Sequence, residues 1–234
     1  MESADALEGL DQALALARAA EVDAILVAGD LFDHHRVSLE MVDRVMDDLA
    51  SSERPVVVLP GNHDTVLTQG IWSGDAPEGV SILREADGEM LFLDELGLAV
   101  WGRPVYDHHP GFRPLEGMPP RPRDGWYVSM AHGLVMDFEE AAMRSSPISP
   151  DEIADAGCDY IALGHVHIFR DVSQNGVPAF YSGAPSGSRR RGVALVELDP
   201  ENGVSVSHLA TGLDDPRQAL ERHLSLGREQ KGRA

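Results

Sequence analysis

The chain has 234 residues, 43% of them hydrophobic, which is enough for one large core, and nothing in the composition requires a second domain. Its formal net charge of -20 would repel a polyanion at long range, so nucleic acid is a disfavoured but not an excluded partner. A single cysteine, Cys158, excludes an internal disulfide, and no apolar run approaches the roughly 18 residues of a membrane span. Without a secretory signal at its start, the sequence predicts a soluble, cytoplasmic protein.

Helical and strand patterns alternate over the first 60 residues. Apolar residues at helical spacing predict helices over residues 4–20 and 38–49. Short apolar runs predict buried strands over residues 24–28 and 55–60, and each run is followed by a glycine and a polar residue. This alternation is typical of α/β architecture.

The middle of the chain changes character. Short apolar segments at residues 80–83, 90–93 and 98–101, separated by acidic and glycine-containing turns, are typical of strands in a meander. A proline-rich loop is predicted from Pro104 to Pro122.

The second half contains further strands and two hairpins. Strands are predicted over residues 126–131 and 160–163, and Asn175-Gly176 predicts a hairpin turn between residues 169–172 and 177–181. A second hairpin is predicted over residues 192–198 and 204–209, and a helix over residues 217–226. We therefore divide the chain into one domain, residues 1–213, and a terminal helix and tail, residues 214–234.

Six polar residues follow the ends of four predicted strands. They are Asp30, Asn62, His63, His132, His165 and His167. Ligands of open α/β sheets gather at the carboxyl ends of strands, so we expect these side chains to converge. His165 and His167 would also project to the same side of an extended segment.

Each of these residues alone has a structural interpretation. Asp30 could cap a turn, Asn62 could form an Asx turn, and His132 could be a partly buried histidine whose hydrogen bonds are satisfied. The ordered set instead favours a metal centre. Oxygen and imidazole donors without a thiolate suit manganese, iron, zinc or nickel.

Four short motifs occur in order along the chain. They are Gly29-Asp30-Leu31-Phe32-Asp33, Gly61-Asn62-His63-Asp64, His132-Gly133 and Gly164-His165-Val166-His167. In this order they resemble the motifs of calcineurin-like metallophosphoesterases, and the resemblance extends over residues 24–167. With the Tyr181-Ser182-Gly183 segment, the chain is most similar to nuclease subunits of bacterial DNA-repair exonucleases. The resemblance implies a four-layer αββα sandwich.

The resemblance also implies a phosphoesterase that uses two divalent metal ions. Asp30 would bridge the two ions. Asn62, His132 and His165 would complete one position, and His167 would serve the other. Two cations about 3.5 to 4 Å apart can activate water and neutralise charge on a phosphoryl group.

Two neighbouring residues are implied to act in catalysis. His63 would protonate the leaving group or donate a hydrogen bond to the phosphate, and Asp64 would orient its ring. Histidine suits proton transfer because its ordinary pKa lies near working pH.

The family's opening motif, Asp-x-His at the end of a first strand, is absent upstream of the helix that begins near Ala4. We therefore expect a sandwich without its first strand, an incomplete metal position at His167, and an internal or misassigned start at Met1. Two other Asp-x-His matches, Asp33-His34-His35 and Asp107-His108-His109, are predicted to be exposed loops, because metal geometry is demanding.

Three functional interpretations remain open. The first is a two-metal phosphodiesterase, including a DNA exonuclease-like activity. The second is a hydrolase of small nucleotides or phosphate esters, which the acidic composition favours. The third is a catalytically impaired protein that binds one metal ion. The densest basic cluster, Arg189-Arg190-Arg191, is either a phosphate contact or a solvated turn between strands.

Overall fold

The computed structural model describes residues 4–67, 70–106, 109, 111–136, 146–187, 190–213, 215 and 218–221. Within these ranges the α-helices are α1 (Ala4–Ala19), α2 (Leu39–Ala50) and α3 (Pro150–Ala154). The strands are β1 (Ile25–Ala28), β2 (Val56–Leu59), β3 (Val80–Ile82), β4 (Glu89–Leu93), β5 (Leu98–Gly102), β6 (Trp126–His132), β7 (Leu134–Val135), β8 (Pro147–Ile148), β9 (Tyr160–Gly164), β10 (Phe169–Asp171), β11 (Ala179–Ser182), β12 (Gly192–Asp199) and β13 (Gly203–Ala210).

Local sequence signals explain where the helices begin. The Ser38 side chain caps α2 by accepting a hydrogen bond from the Met41 N–H. Ser149 and Glu152 form a reciprocal capping box at the start of α3, with Pro150 in its first turn. The helix predicted over residues 217–226 can be compared only at residues 218–221, which are helical; the remainder lies outside the described residues.

Two sheets carry the fold. Strands β1, β2 and β3 form a parallel three-stranded sheet in that order. The larger sheet has the order β10-β11-β9-β6-β5-β4, with β5, β6, β9 and β11 parallel and the edge strands β4 and β10 antiparallel to their neighbours. The meander prediction is wrong for its first segment, because β3 pairs with β2 in the smaller sheet, whereas the other two segments, β4 and β5, pair antiparallel as in a meander.

The hydrophobic clusters show how the layers stack. Adjacent residues of β2 point to opposite faces, as in any strand. Val58 packs with Leu49 of α2 on the helical side, whereas Val57 packs with Met130 of β6 between the sheets. On the outer face of the larger sheet, Tyr127 packs with Ile153 of α3. The predicted αββα sandwich is confirmed.

Two predicted hairpins are also confirmed. At the turn before β11, Asn175 and Gly176 both have positive φ angles, 46° and 86°, which asparagine and glycine tolerate best. Strands β12 and β13 form the second hairpin, paired from Gly192 with Ala210 to Asp199 with Gly203. This hairpin packs against both the inter-sheet core and α1.

Cys158 is a packing residue, as the sequence predicts. It is buried in the cluster on the outer face of the larger sheet. Burial raises the pKa of its thiol to about 11, so little thiolate is present at neutral pH. In the described part of the chain, no helix combines the length and apolar character needed to cross a membrane.

Candidate metal centre

Tight turns at the carboxyl ends of β1 and β2 bring the polar motifs together. Gly29 and Asp30 follow β1 with φ angles of 95° and 53°, and the chain bends immediately after the strand. A methyl group added at Gly29 would overlap the His132 ring, and one added at Gly61 would overlap the Asp30 carboxylate. Glycine is therefore required by close packing at both positions.

Four of the predicted ligands meet at this edge. Oδ2 of Asp30 lies 3.1 Å from Nε2 of His132. Oδ1 of Asn62 lies 2.9 Å from Nε2 of His132 and 2.9 Å from Nδ1 of His165. Ligand atoms of Asp30, His132 and His165 all lie within 4.8 Å of one another. The two imidazole rings stand edge to face, with centroids 5.2 Å apart.

The protonation of His132 determines what this cluster can bind. Nδ1 of His132 lies 2.9 Å from the carbonyl oxygen of Ala28, which can only accept a hydrogen bond. In the neutral ring Nδ1 therefore carries the proton, and Nε2 presents a lone pair to the oxygens of Asp30 and Asn62. Three acceptors that converge without a donor between them form a site for a cation.

The spacing of these acceptors also fits a metal ion. Neighbouring ligands around an ion with bonds of about 2.1 Å lie roughly 3 Å apart when they meet at a right angle. The contacts of Asn62 and Asp30 with His132 are 2.9 and 3.1 Å. A histidine ligand whose other nitrogen donates to a backbone carbonyl is also the usual arrangement in metal sites.

The electrostatics favour the ligand forms of two residues. Burial acts to raise the pKa of Asp30, but the His63 N–H and, whenever the His132 ring is protonated, its hydrogen bond and charge outweigh burial and hold that pKa below its ordinary value. Burial, followed by repulsion from the protonated form of His132, lowers the pKa of His165. Asp30 therefore stays anionic and His165 neutral to lower pH than usual, as a cation requires.

Asp64 is placed differently from the prediction. It is fully buried, and its two carboxylate oxygens accept the backbone N–H groups of Gly61, at 2.7 Å, and Phe32, at 3.2 Å. Trp72 donates its indole N–H to the Asp64 carbonyl oxygen. The carboxylate partners in the described part of the chain are thus backbone groups and not the His63 ring, so Asp64 positions the backbone of the two turns that carry Asp30 and Asn62. Burial raises its pKa to about 6, against the lowering effect of the Gly61 N–H.

His63 joins the cluster through its backbone. Its N–H donates to Oδ1 of Asp30 at 2.9 Å, which leaves Oδ2 facing His132. The His63 side chain itself is exposed. The residue thus fixes the Asp30 carboxylate with its main chain and is exposed to solvent beside the candidate ligands.

His167 lies outside the group of ligand atoms that converge. Its side chain is exposed, and it does not belong to the cluster formed by Asp30, His132 and His165. The extended conformation predicted for this segment is wrong, because the chain bends after β9 and His165 has a φ angle of 91°. A positive φ in a residue other than glycine is strained, and such strain often marks functional sites.

The alternative Asp-x-His sequences do not enter the cluster within the described residues. Asp33, His34 and His35 are exposed, as predicted, and Nδ1 of His34 accepts the Arg36 N–H. Asp107 and His108 lie outside the residues that the structure describes.

A buried arginine next to the site was not predicted. Arg103, directly after β5, donates hydrogen bonds to the carbonyl oxygens of Ala86 and Arg113 and to the Tyr106 hydroxyl. It thereby orders the proline-rich loop, whose Val105 N–H donates to the carbonyl of Pro60, one residue before the Gly61 turn. The sequence signal was an arginine between a strand-ending glycine and a proline.

Gly164 provides a test of how tightly the cluster is packed. A methyl group there would overlap the carbonyl oxygen of Ala28 and approach Nδ1 of His132. Gly164→Ala is expected to lower the free energy of unfolding by about 3 kcal/mol and to weaken metal binding, since β1 must move away from β9. Chemical denaturation measures the first effect. Gly74→Ala, where no heavy atom lies within 4 Å of the added methyl group, should be nearly neutral.

Comparison with known proteins places this site in a family. A family model described as calcineurin-like phosphoesterase matches residues 3–169. The chain is 30% identical over 175 residues to the uncharacterized metallophosphoesterase YhaO of Bacillus subtilis, a match that covers 69% of this chain and 41% of that protein. It is 25% identical over 241 residues to the DNA double-strand break repair protein Mre11 of Methanopyrus kandleri, covering 82% of this chain and 49% of that protein.

A solved structure shares the fold. The crystal structure of TT1561 of Thermus thermophilus superposes with a TM-score of 0.58 at 13% sequence identity, covering 86% of this chain and 93% of that one. The chain spans less than half the length of the two sequence relatives. On the match over residues 3–169, the chain belongs to the calcineurin-like phosphoesterase family, a family of metal-dependent hydrolases of phosphoester bonds.

Proposed function

We propose that this protein is a metal-dependent phosphodiesterase that uses a dinuclear centre. The observation that carries the proposal is the convergence of Asp30, Asn62 and His132 as acceptors about a common point, with His165 beside them. In this assignment Asp30 bridges both ions, and Asn62, His132 and His165 complete one position. His167 serves the second position.

The residues around the metal centre have separate roles in this proposal. Divalent cations, when bound, would supply an activated water and neutralise charge on the phosphoryl oxygens. Asp30 contributes the anionic charge that holds two cations close together, and the His63 N–H fixes its orientation. The buried Asp64 carboxylate holds the turns after β1 and β2 in place, because it accepts the N–H groups of Phe32 and Gly61.

His63 is proposed to donate a proton to the leaving oxygen. The residue is exposed beside the cluster, so a substrate bound at the metal centre can reach its imidazole. Its main chain, not its side chain, contacts Asp30, so proton transfer does not compete with metal binding.

The substrate class is proposed to include nucleic acid. The relative from Methanopyrus kandleri is described as a DNA double-strand break repair protein, and the chain matches it over 82% of its own length. The second candidate, small nucleotides or phosphate esters, is favoured by the net charge of -20, which opposes long polyanions.

Hydrolysis of bis-p-nitrophenyl phosphate tests the activity. After removal of metal with EDTA, the chain is expected to be inactive, and Mn²⁺ should restore hydrolysis of this diester more efficiently than that of p-nitrophenyl phosphate. Linear DNA and a dinucleotide are compared under the same conditions. A chain that binds Mn²⁺ but hydrolyses none of these substrates with manganese, iron, zinc or nickel would contradict the proposal.

Metal stoichiometry tests the dinuclear assignment. One ion is expected to bind tightly at Asn62, His132 and His165, and the second more weakly, because the proposed donors for it within the described residues are Asp30 and His167. Calorimetric titration with Mn²⁺ should resolve two steps. Two ions bound with equal affinity would refute the assignment of one tight and one weak position. A single bound ion at saturation would refute it as well.

A further inference from the structure

A second concave site has His208 in its lining, and the His208 ring contacts Phe169. It is a cavity of about 730 Å³ formed by α1, the connection between β11 and β12, and the end of β13. Its lining includes Glu8, Arg190, Arg191, His208 and Thr211. The two arginines belong to the basic cluster that the sequence singled out, whose first member, Arg189, lies outside the described residues.

The cavity lining contains more positively than negatively charged side chains. Arg190 is exposed and forms no ion pair with any described residue, while Arg191 donates a hydrogen bond from Nε to the carbonyl of Gly187. Nε2 of His208 is buried without a hydrogen-bond partner in the described part of the chain. This nitrogen is enclosed against Gly192, so the charged groups of the cavity lining are the two guanidinium groups and the Glu8 carboxylate.

Packing connects this cavity with the segment that follows the candidate ligand His165. The His208 ring lies 5.1 Å from the Phe169 ring, centroid to centroid. A methyl group at Gly183 would lie 3.0 Å from the Phe169 nitrogen and 3.6 Å from the His167 carbonyl oxygen. Gly183, after β11, and His208, in the cavity lining, thus both lie beside the segment from His167 to Phe169.

We propose that this cavity binds a second phosphate of an extended phosphodiester substrate while the scissile phosphate lies at the metal centre. The inference rests on the proposed phosphodiesterase function. Guanidinium groups bind phosphate oxygens with paired, charge-assisted hydrogen bonds. A neutral or apolar ligand would cover the Arg190 guanidinium without offering it a partner, which is unfavourable.

The acidic net charge does not oppose this assignment. Charges separated by more than about 8 to 10 Å are largely screened at physiological salt, so distant carboxylates affect the encounter rate more than the contact itself. Glu8 is closer. Its carboxylate accepts a hydrogen bond from the Gln12 side chain and weakens phosphate binding in the same cavity.

Two substitutions with opposite expected effects test the proposal. Arg190→Asn removes one positive charge, and asparagine tolerates the φ of 46° at this position. Glu8→Gln removes one negative charge from the same cavity. The control is Arg44→Gln on α2, which also removes a positive charge but lies outside the cavity lining.

Binding of a fluorescent oligothymidylate is measured without metal, so that hydrolysis does not interfere. We expect Arg190→Asn to weaken binding about tenfold and Glu8→Gln to strengthen it about threefold, with no change for Arg44→Gln. The dependence of log K on log salt should fall by about 0.7 in Arg190→Asn. Equal affinity in all four proteins would overturn the proposal. If Arg190→Asn does not fold, an unchanged affinity of Glu8→Gln for the oligothymidylate would also overturn the proposal.

Kinetics with Mn²⁺ separates this site from the catalytic centre. For the oligonucleotide, Arg190→Asn should raise KM about tenfold and leave kcat unchanged, whereas both parameters for bis-p-nitrophenyl phosphate should match the wild type. If neither substrate is hydrolysed by any of the proteins, the proposed function fails, and the metal-free binding still decides the cavity. Inorganic phosphate that competes as well as the oligonucleotide in the metal-free assay would show a free-phosphate site and refute a strand contact.

Discussion

Asp30→Asn is expected to abolish tight metal binding and to reduce phosphodiester hydrolysis at least about 1,000-fold. Asp30 is the carboxylate among the clustered ligands, and its pKa is held low by His132 and the His63 N–H, so it supplies negative charge over the working pH range. Asparagine keeps the shape and can still accept the His63 N–H. The substitution therefore removes the negative charge and replaces the oxygen that faces His132 by an amide NH2 donor, with little change of shape.

Metal content and thermal unfolding measure this effect separately from activity. Wild-type protein should gain about 2.7 kcal/mol of stability at a metal concentration of 100 times Kd, whereas Asp30→Asn should gain almost none. Asp33→Asn, at an exposed aspartate three residues later, is the matched control and should behave as wild type. An Asp30→Asn protein that retains full metal content and half its activity would show that the clustered acceptors are not the metal site.

The positions of the ligands could be predicted because they follow from strand ends. A glycine and a polar residue follow β1 and β2, and histidines stand at the ends of β6 and β9. To predict that these residues meet, it was enough to recognise the strands and to expect them to be parallel. The structure brings Asp30, Asn62, His132 and His165 together accordingly. Which sheet each strand joins is a long-range choice, and that is why β3 was assigned to a meander.

The details of the turns could not be predicted in the same way. The role of Asp64 depends on two N–H groups, one of them 32 residues away at Phe32, and no local pattern specifies such a pair. The bend at His165 depends on a backbone angle that is unusual for histidine and is imposed by the surrounding packing. The Arg103 contacts depend on how the proline-rich loop folds back over the strand that precedes it.

Net charge and local charge govern different properties of this protein. The net charge of -20 describes the whole chain, whereas recognition of phosphate depends on the groups within a few ångströms. The cavity lined by Arg190 and Arg191 is a local concentration of positive charge on an acidic protein. An acidic surface elsewhere would limit unspecific association with long nucleic acid.

His63→Asn should lower kcat about 100- to 10,000-fold for substrates with an alkoxide leaving group, with metal binding unchanged. His63 is exposed, and it contacts Asp30 through its main-chain N–H. The substitution therefore leaves the clustered ligands in place. A ribose or deoxyribose oxygen is a poor leaving group and needs a proton as its bond to phosphorus breaks. The p-nitrophenolate ion leaves without one, so the loss for bis-p-nitrophenyl phosphate should be much smaller.

The ratio between the two losses identifies the role of His63. A residue that only positions the phosphate would affect both substrates equally, and a hidden metal ligand would lower metal content as well. His35→Asn, at an exposed histidine outside the cluster, is the control and should leave both rates unchanged. Equal losses for the dinucleotide and for bis-p-nitrophenyl phosphate would assign His63 to phosphate binding, because a proton donor must matter most where the leaving group is worst.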